Sequence, residues 1–282
     1  SKTPIIILDS LETSTPVFSH ANDEQAYTGN QTSSLDSENH VILITPTPNK
    51  GLLPREWPSW PVVPVVSSRM REIFEYGLEH GNSPKVFSIV GDCQSEPNVF
   101  LGIYETDRYY FTDEYSYLEN TIAFFRGSFS HKSQAVKDGL SAPSALSPLW
   151  ADQGMCETSE NPVQCELRIR KPAIMFVNLG TNWKAGASAD AYKGYLKQIV
   201  RIIIDNGTIP VLSTKADNVE GDHSINRATA NVAYELDVPL WNFWLAADTL
   251  PNHGLDGSRD NIYLTPEGWD RRNFTALLVL DS

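Results

Sequence analysis

Four short blocks of this 282-residue chain carry the residue types that could do chemistry. Val90-Gly91-Asp92-Cys93 closes one apolar run and Leu179-Gly180-Thr181-Asn182 closes another. Arg126-Gly127-Ser128 lies between them, and Asp260-Asn261-Ile262-Tyr263-Leu264-Thr265 lies near the C-terminus. Cys93 offers a thiol, whose thiolate is a better nucleophile than a hydroxyl once a base takes the proton. Histidine suits that task because its pKa lies near neutrality. The last block supplies Tyr263 instead, and a phenol with an ordinary pKa of about 10 is a poor base at pH 7. His253, in Leu250-Pro251-Asn252-His253-Gly254-Leu255, is the best substitute by sequence, set against the reading of an ordinary loop histidine. His223 and His131 are weaker substitutes, and His20, His40 and His80 fall outside the blocks. Cys93 also has a plainer reading, a small apolar residue after a strand.

The elements that must position these blocks follow from periodicity. Ser67 or Ser68 caps a helix with Met70, Ile73, Phe74 and Gly77 on one face, ended by Gly81. Lys85 to Val90 reads as a short strand entering the Gly91 block, and residues 114 to 125 read as a helix before Gly127. Ala173 to Leu179 is a buried strand. Ser188 caps a helix carrying Tyr192, Tyr195, Leu196, Ile199 and Ile203, and Asn206-Gly207 stops it before the strand Ile209 to Ser213. A helix over 225 to 236, a strand from Val238 to Trp241 and a terminal helix starting at Pro266 complete the series. Strands separated by helices of this length imply a parallel sheet covered on both faces, with ligands at the carboxyl ends of the strands, where the blocks fall.

In this order and context the blocks resemble the SGNH (GDSL-type) hydrolases, over roughly Lys85 to Leu280. The resemblance implies an α/β fold, a three-layer α/β/α sandwich with a central parallel sheet in flavodoxin-like strand order. It also assigns roles: Cys93 stands where the family has its nucleophilic serine, and Tyr263 where it has the histidine of its Asp-x-x-His pair. Asp260 is the aspartate of that pair. The Cys93 amide, the Gly127 amide and the Asn182 side chain would be the oxyanion donors, each worth about 3 to 4 kcal/mol in the transition state. Trp183, in place of the aspartate that often follows the asparagine, would stand at the cleft mouth and could stack on a sugar or cover an acyl chain. Two readings follow. In one, the chain is an extracellular or cell-surface relative with a degenerate site, used for ligand binding or a structural role. In the other, it is a working esterase on acetylated carbohydrate or lipid-like esters, with Cys93 as nucleophile assisted by His253 or a water-linked Asp260. The missing base favours the first, because function lives in the site and not in the fold.

Composition narrows the partners. A net charge of -13 and a pI near 4.8 disfavour nucleic acid, which needs clustered Lys and Arg. No apolar run approaches the roughly 20 residues of a membrane span, and the N-terminus lacks the basic and apolar regions of a signal peptide. Cys156 and Cys165 flank a short polar segment, where a local bridge would imply an oxidising compartment. Without a nearby histidine the pair is an incomplete zinc set, so neither metal nor cofactor is expected. Three Asn-x-Thr triplets, at Asn30, Asn206 and Asn273, are about as many as chance provides. Residues 1–65 read as a polar arm with a Pro-rich linker, and 66–282 as the hydrolase-like domain. The arm holds two strand-like runs, Pro4 to Leu8 and Val41 to Thr45, which would add to the main sheet's edge or pair with another subunit.

Overall fold

The chain runs from a helix into a strand at Ser67, where β-region backbone and a following amphipathic stretch start α1 (Ser68–Glu79). In the computed structural model, which describes residues 52–184 and 186–282, α1 leads into β1 (Ser83–Gly91). Then come α2 (Leu118–Phe124), α3 (Ala142–Ala145), α4 (Pro162–Arg170), β2 (Pro172–Asn178) and α5 (Ala189–Asp205). The remainder is β3 (Ile209–Ser213), α6 (Ser224–Leu236), β4 (Leu240–Trp241), α7 (Phe243–Ala247) and α8 (Pro266–Asp281).

The four strands are parallel in the order β1-β2-β3-β4. On the free edge of β1, Val136 forms a single parallel bridge with Gly91, fixed by Gly91 N–H to the Ala135 carbonyl and Lys137 N–H to the Gly91 carbonyl. That bridge occupies the place of the second strand in a flavodoxin-like sheet, here cut to one residue.

Alternation along the strands divides the core into two layers. Val90, Met175, Val177, Leu212 and Leu240 pack with Leu196, Ile199, Val200 and Ile203 of α5 and with α6. On the opposite face Phe87, Phe176 and Trp241 meet Phe100 and Phe129, with ring centroids 5.0 to 6.1 Å apart, mostly edge to face. The helix starts follow capping chemistry. Ser188 Oγ accepts the Ala191 N–H, and Thr265 Oγ1 accepts the Gly268 N–H. Two departures from the sequence reading stand out. Residues 114–125 form a 3-10 turn (Asp113–Tyr115) and the short α2, in place of one helix. The polar segment between the two cysteines contains the start of α4, where Asn161 and Gln164 make a reciprocal capping box ahead of Pro162.

The described part of the arm belongs with the domain. Trp57 is buried in the core, and Asn242 Nδ2 donates to the Trp57 and Trp60 carbonyls, each at 2.9 Å. Prolines 54, 58, 61 and 64 keep this strap out of the sheet, although Val62 accepts a hydrogen bond from the Asn242 amide beside β4. The runs Pro4 to Leu8 and Val41 to Thr45 lie outside the described residues. Cys156 and Cys165 form a disulfide, with Cα atoms 5.2 Å apart, beside the bidentate Arg168–Glu160 pair. Among the described residues no helix is long and apolar enough to cross a membrane.

Candidate functional site

At the carboxyl end of β1 the chain turns sharply through Gly91, where any Cβ would sit 2.3 Å from Ser95 Oγ. The turn aims two side chains in different directions. Asp92 points inward, caps the 3-10 turn at Cys93–Ser95 through the Gln94 N–H, and accepts Asn182 Nδ2 at 3.0 Å. Burial pushes the Asp92 carboxyl upward, the nearby charge of Arg272 and the Gln94 amide pull it down, and the charges of Asp217 and Asp138 add to the upward push. Cys93 is half-buried and points toward Asp138, whose carboxylate accepts its thiol hydrogen bond. Burial first, then the charges of Asp92 and Asp138, raise the thiol to about 11.

The inner cleft lies where sheet topology puts it, across the carboxyl ends of β1, β2 and β3. Asp92, Gln94, Asn178, Thr181, Lys215 and Arg272 line much of a cavity of about 40 Å³, room for a few waters and not for an acyl chain. Its charges are already paired. Lys215 Nζ, buried, donates to Asp217 Oδ1 at 2.5 Å and to Glu220 Oε2 at 2.6 Å, and Thr181 Oγ1 donates to Asp217 Oδ2 at 2.7 Å. Arg272 is fully enclosed. It donates to the Gln94 carbonyl and lies 4.4 Å from the Phe100 ring centroid, and burial lowers its pKa to about 10 against the opposing Asp92 charge. Lys215, Asp217 and Arg272 were absent from the sequence reading. The available signal was a Lys-Ala-Asp step directly after a buried strand, at the end of the sheet where ligands bind.

The structure separates the residues that the resemblance had grouped. Gly127 is not in the cleft. Its N–H donates to a Glu105 carboxylate oxygen, its carbonyl accepts from Arg170 at the end of α4, and the neighbouring Ser128 hydroxyl meets the Phe87 amide well back along β1. The loop beside Cys93 is instead Asp138-Gly139-Leu140, which follows the Val136 bridge; Gly139 has φ of 70°. The miss has a physical cause: a one-residue strand leaves no run of alternating residues to mark the loop that follows it. Asn182 does reach the site, but both its amide hydrogens are taken, by Asp92 Oδ2 and by the Leu140 carbonyl at 3.3 Å.

Tyr263 sits beneath Arg259, whose guanidinium carbon is 3.7 Å from the ring centroid, and its carbonyl accepts the Asp256 amide. Its neighbours Ile262 and Leu264 are clamped to the Cys93 turn by Gln94, through Nε2 to the Ile262 carbonyl and Oε1 from the Leu264 amide. Asp260 and His253 line a separate lateral cavity together with His223 and Trp244. His253 lies 4.9 Å from the Trp244 ring, and its Nε2 is 3.3 Å from Asp248 Oδ1 without hydrogen-bond alignment. Burial lowers the His223 pKa. His131 is structural, its Nε2 2.9 Å from the fully buried Glu166, which also accepts from Ser88 and the Gln134 amide. Among the described residues no hydrogen bond joins Cys93 to Tyr263, His253 or Asp260. Trp183 packs on Tyr192 and Tyr195 of α5 and donates Nε1 to the Ala187 carbonyl; it does not line the cleft. Cys156, Glu160 and Cys165 lie close enough to share an ion, but the disulfide consumes both sulfurs.

Comparison with solved structures finds a GDSL-like lipase from Bacteroides thetaiotaomicron (12% identity, 75% of this chain and 97% of that one, TM-score 0.47). A protein assigned as an acylhydrolase from Bacteroides fragilis is similar (12% identity, 75% of this chain and 95% of that one, TM-score 0.44). No family model matches the chain, and no curated protein matches it by sequence. The functional argument therefore rests on the residues themselves.

Proposed function

We propose that this chain is an extracellular SGNH-hydrolase-like protein whose Cys93 centre no longer hydrolyses esters, the fold being kept for ligand binding or a surface role. The carrying observation is the environment of Cys93. A thiol raised to about 11 and donating to Asp138 stays protonated at neutral pH. A base would have to remove that proton, and the side chain at the histidine position, Tyr263, is engaged by Arg259. The oxyanion donor that Asn182 would supply is spent on Asp92 and Leu140. The small inner cavity supports the same reading, since an ester with an acyl chain has no room there. The disulfide supports an oxidising compartment.

Hydrolysis of p-nitrophenyl acetate and p-nitrophenyl butyrate by the parent chain and by Cys93→Ala tests this. Equal rates, at the level of buffer, are expected. Turnover by the parent that Cys93→Ala abolishes would restore the esterase reading.

A further inference from the structure

The lateral cavity beside the cleft has a volume of about 430 Å³ and shares only Ala216 and Leu255 with the inner cavity among their lining residues. Its wall combines an indole, two imidazoles, three carboxamides and one carboxylate, with no Lys or Arg. Five of those residues, His223, Asn252, His253, Asp260 and Asn261, hold left-handed backbone with φ between 50° and 58°. Asn, Asp and His enter that region more readily than most side chains, but five in one wall is a costly arrangement of the kind that collects at binding sites.

The hydrogen bonds determine what the wall offers. Asn218 Oδ1 accepts the His223 N–H at 2.9 Å, so the free end of Asn218 is its Nδ2 donor. Asn252 Nδ2 donates to the Leu255 carbonyl and, at 2.7 Å, to Asn261; that second partner must be Oδ1, which leaves Asn261 Nδ2 free. Among the described residues the Asp260 carboxylate has no hydrogen-bond partner. The cavity thus presents two unused amide donors and one unused carboxylate acceptor beside the Trp244 indole.

That combination selects a ligand class. An anion would meet Asp260 with no compensating cation. A cationic amine would satisfy Asp260 but offer nothing to the two amide donors. An acyl chain would bury all three groups unpaired. Hydroxyl groups both donate and accept, and a sugar ring adds a flat C–H face for the indole. We infer that this cavity binds a neutral carbohydrate, with Asn218 and Asn261 donating to its hydroxyls, Asp260 accepting from one and Trp244 lying against the ring. The inference stands whether or not Cys93 is silent.

The test is binding of the full chain to an array of immobilised neutral and anionic glycans, followed by titration of the strongest neutral glycan with tryptophan fluorescence as readout. Asp260 and Asn261 are exposed, so Asp260→Ala and Asn261→Ala should keep the parent melting temperature. Each is expected to weaken binding about tenfold, the size of one lost hydrogen bond to a ligand, while Cys93→Ala binds like the parent. The proposal is overturned if no neutral glycan binds, if only anionic glycans or choline (run in parallel) bind, or if both substitutions leave the affinity unchanged.

Discussion

Replacing Asp138 with Asn should speed alkylation of Cys93, because Asp138 both accepts the thiol hydrogen bond and contributes negative charge beside it. The chain suits the experiment: of its three cysteines two are bridged, so Cys93 is the single reporter. With the thiol at about 11 instead of the ordinary 9, the thiolate population at pH 7.5 falls about a hundredfold. A more basic thiolate is intrinsically more nucleophilic, which recovers a factor of about 8. The net expectation for the parent is iodoacetamide alkylation about tenfold slower than a free thiol, with a rate that still climbs above pH 9. Asp138→Asn should raise the rate at pH 7.5 by a factor of about 3 to 10, since an adjacent like charge typically shifts a group by about one pH unit. Quenched time points read by intact mass give the rates. A parent thiol that alkylates as fast as free cysteine with a midpoint near neutrality, or an Asp138→Asn variant no faster than the parent, would refute the reasoning.

Three further outcomes follow from the same structure. Arg272→Met leaves Asp92 buried without its counter-charge and should cost about 3 to 5 kcal/mol in urea unfolding; adding Asp92→Asn should recover part of that loss. Reducing the Cys156–Cys165 bridge reopens a loop of sequence separation 9 and should lower stability by about 2.5 kcal/mol, seen as a lower Tm in dithiothreitol that a Cys156→Ser/Cys165→Ser variant does not show. Gly77→Ala would place a Cβ 2.0 Å from the Gly207 carbonyl where α1 crosses the turn before β3, and should cost about 1 to 3 kcal/mol by the same unfolding assay.

Much of the fold was legible because its signals are local. The β1, β2 and β3 runs are short and apolar, the Ser188 cap and Asn206-Gly207 stop bracket α5, and Pro266 opens α8, so each element is marked by its own residues. The paired cysteines were legible for the same reason. What escaped depended on contacts distant in sequence. The loop next to Cys93 is held by one bridge at Val136, so a glycine turn at Gly127 drew the assignment that belongs to the neighbourhood of Gly139. Trp183 reads as a cleft residue from its place after Asn182, yet the backbone turn at Gly180 sends it onto α5. The state of Cys93 depends on Asp138, 45 positions away in the chain, and the buried Lys215 network depends on Glu220 folding back over it. A sequence pattern placed the thiol correctly at the end of a strand and carried no information about the carboxylates that surround it.

The central claim, that Cys93 does not act as a nucleophile toward esters, is tested most directly by covalent trapping. The parent chain is incubated with excess p-nitrophenyl acetate at pH 7.5 and sampled by intact mass over the first minutes. The account predicts no acetyl adduct on Cys93 beyond the slow labelling of a protonated thiol, and no burst of p-nitrophenol. An acetyl-thioester that forms within the first turnover and clears with release of acetate, and that is missing in Cys93→Ala, would contradict it.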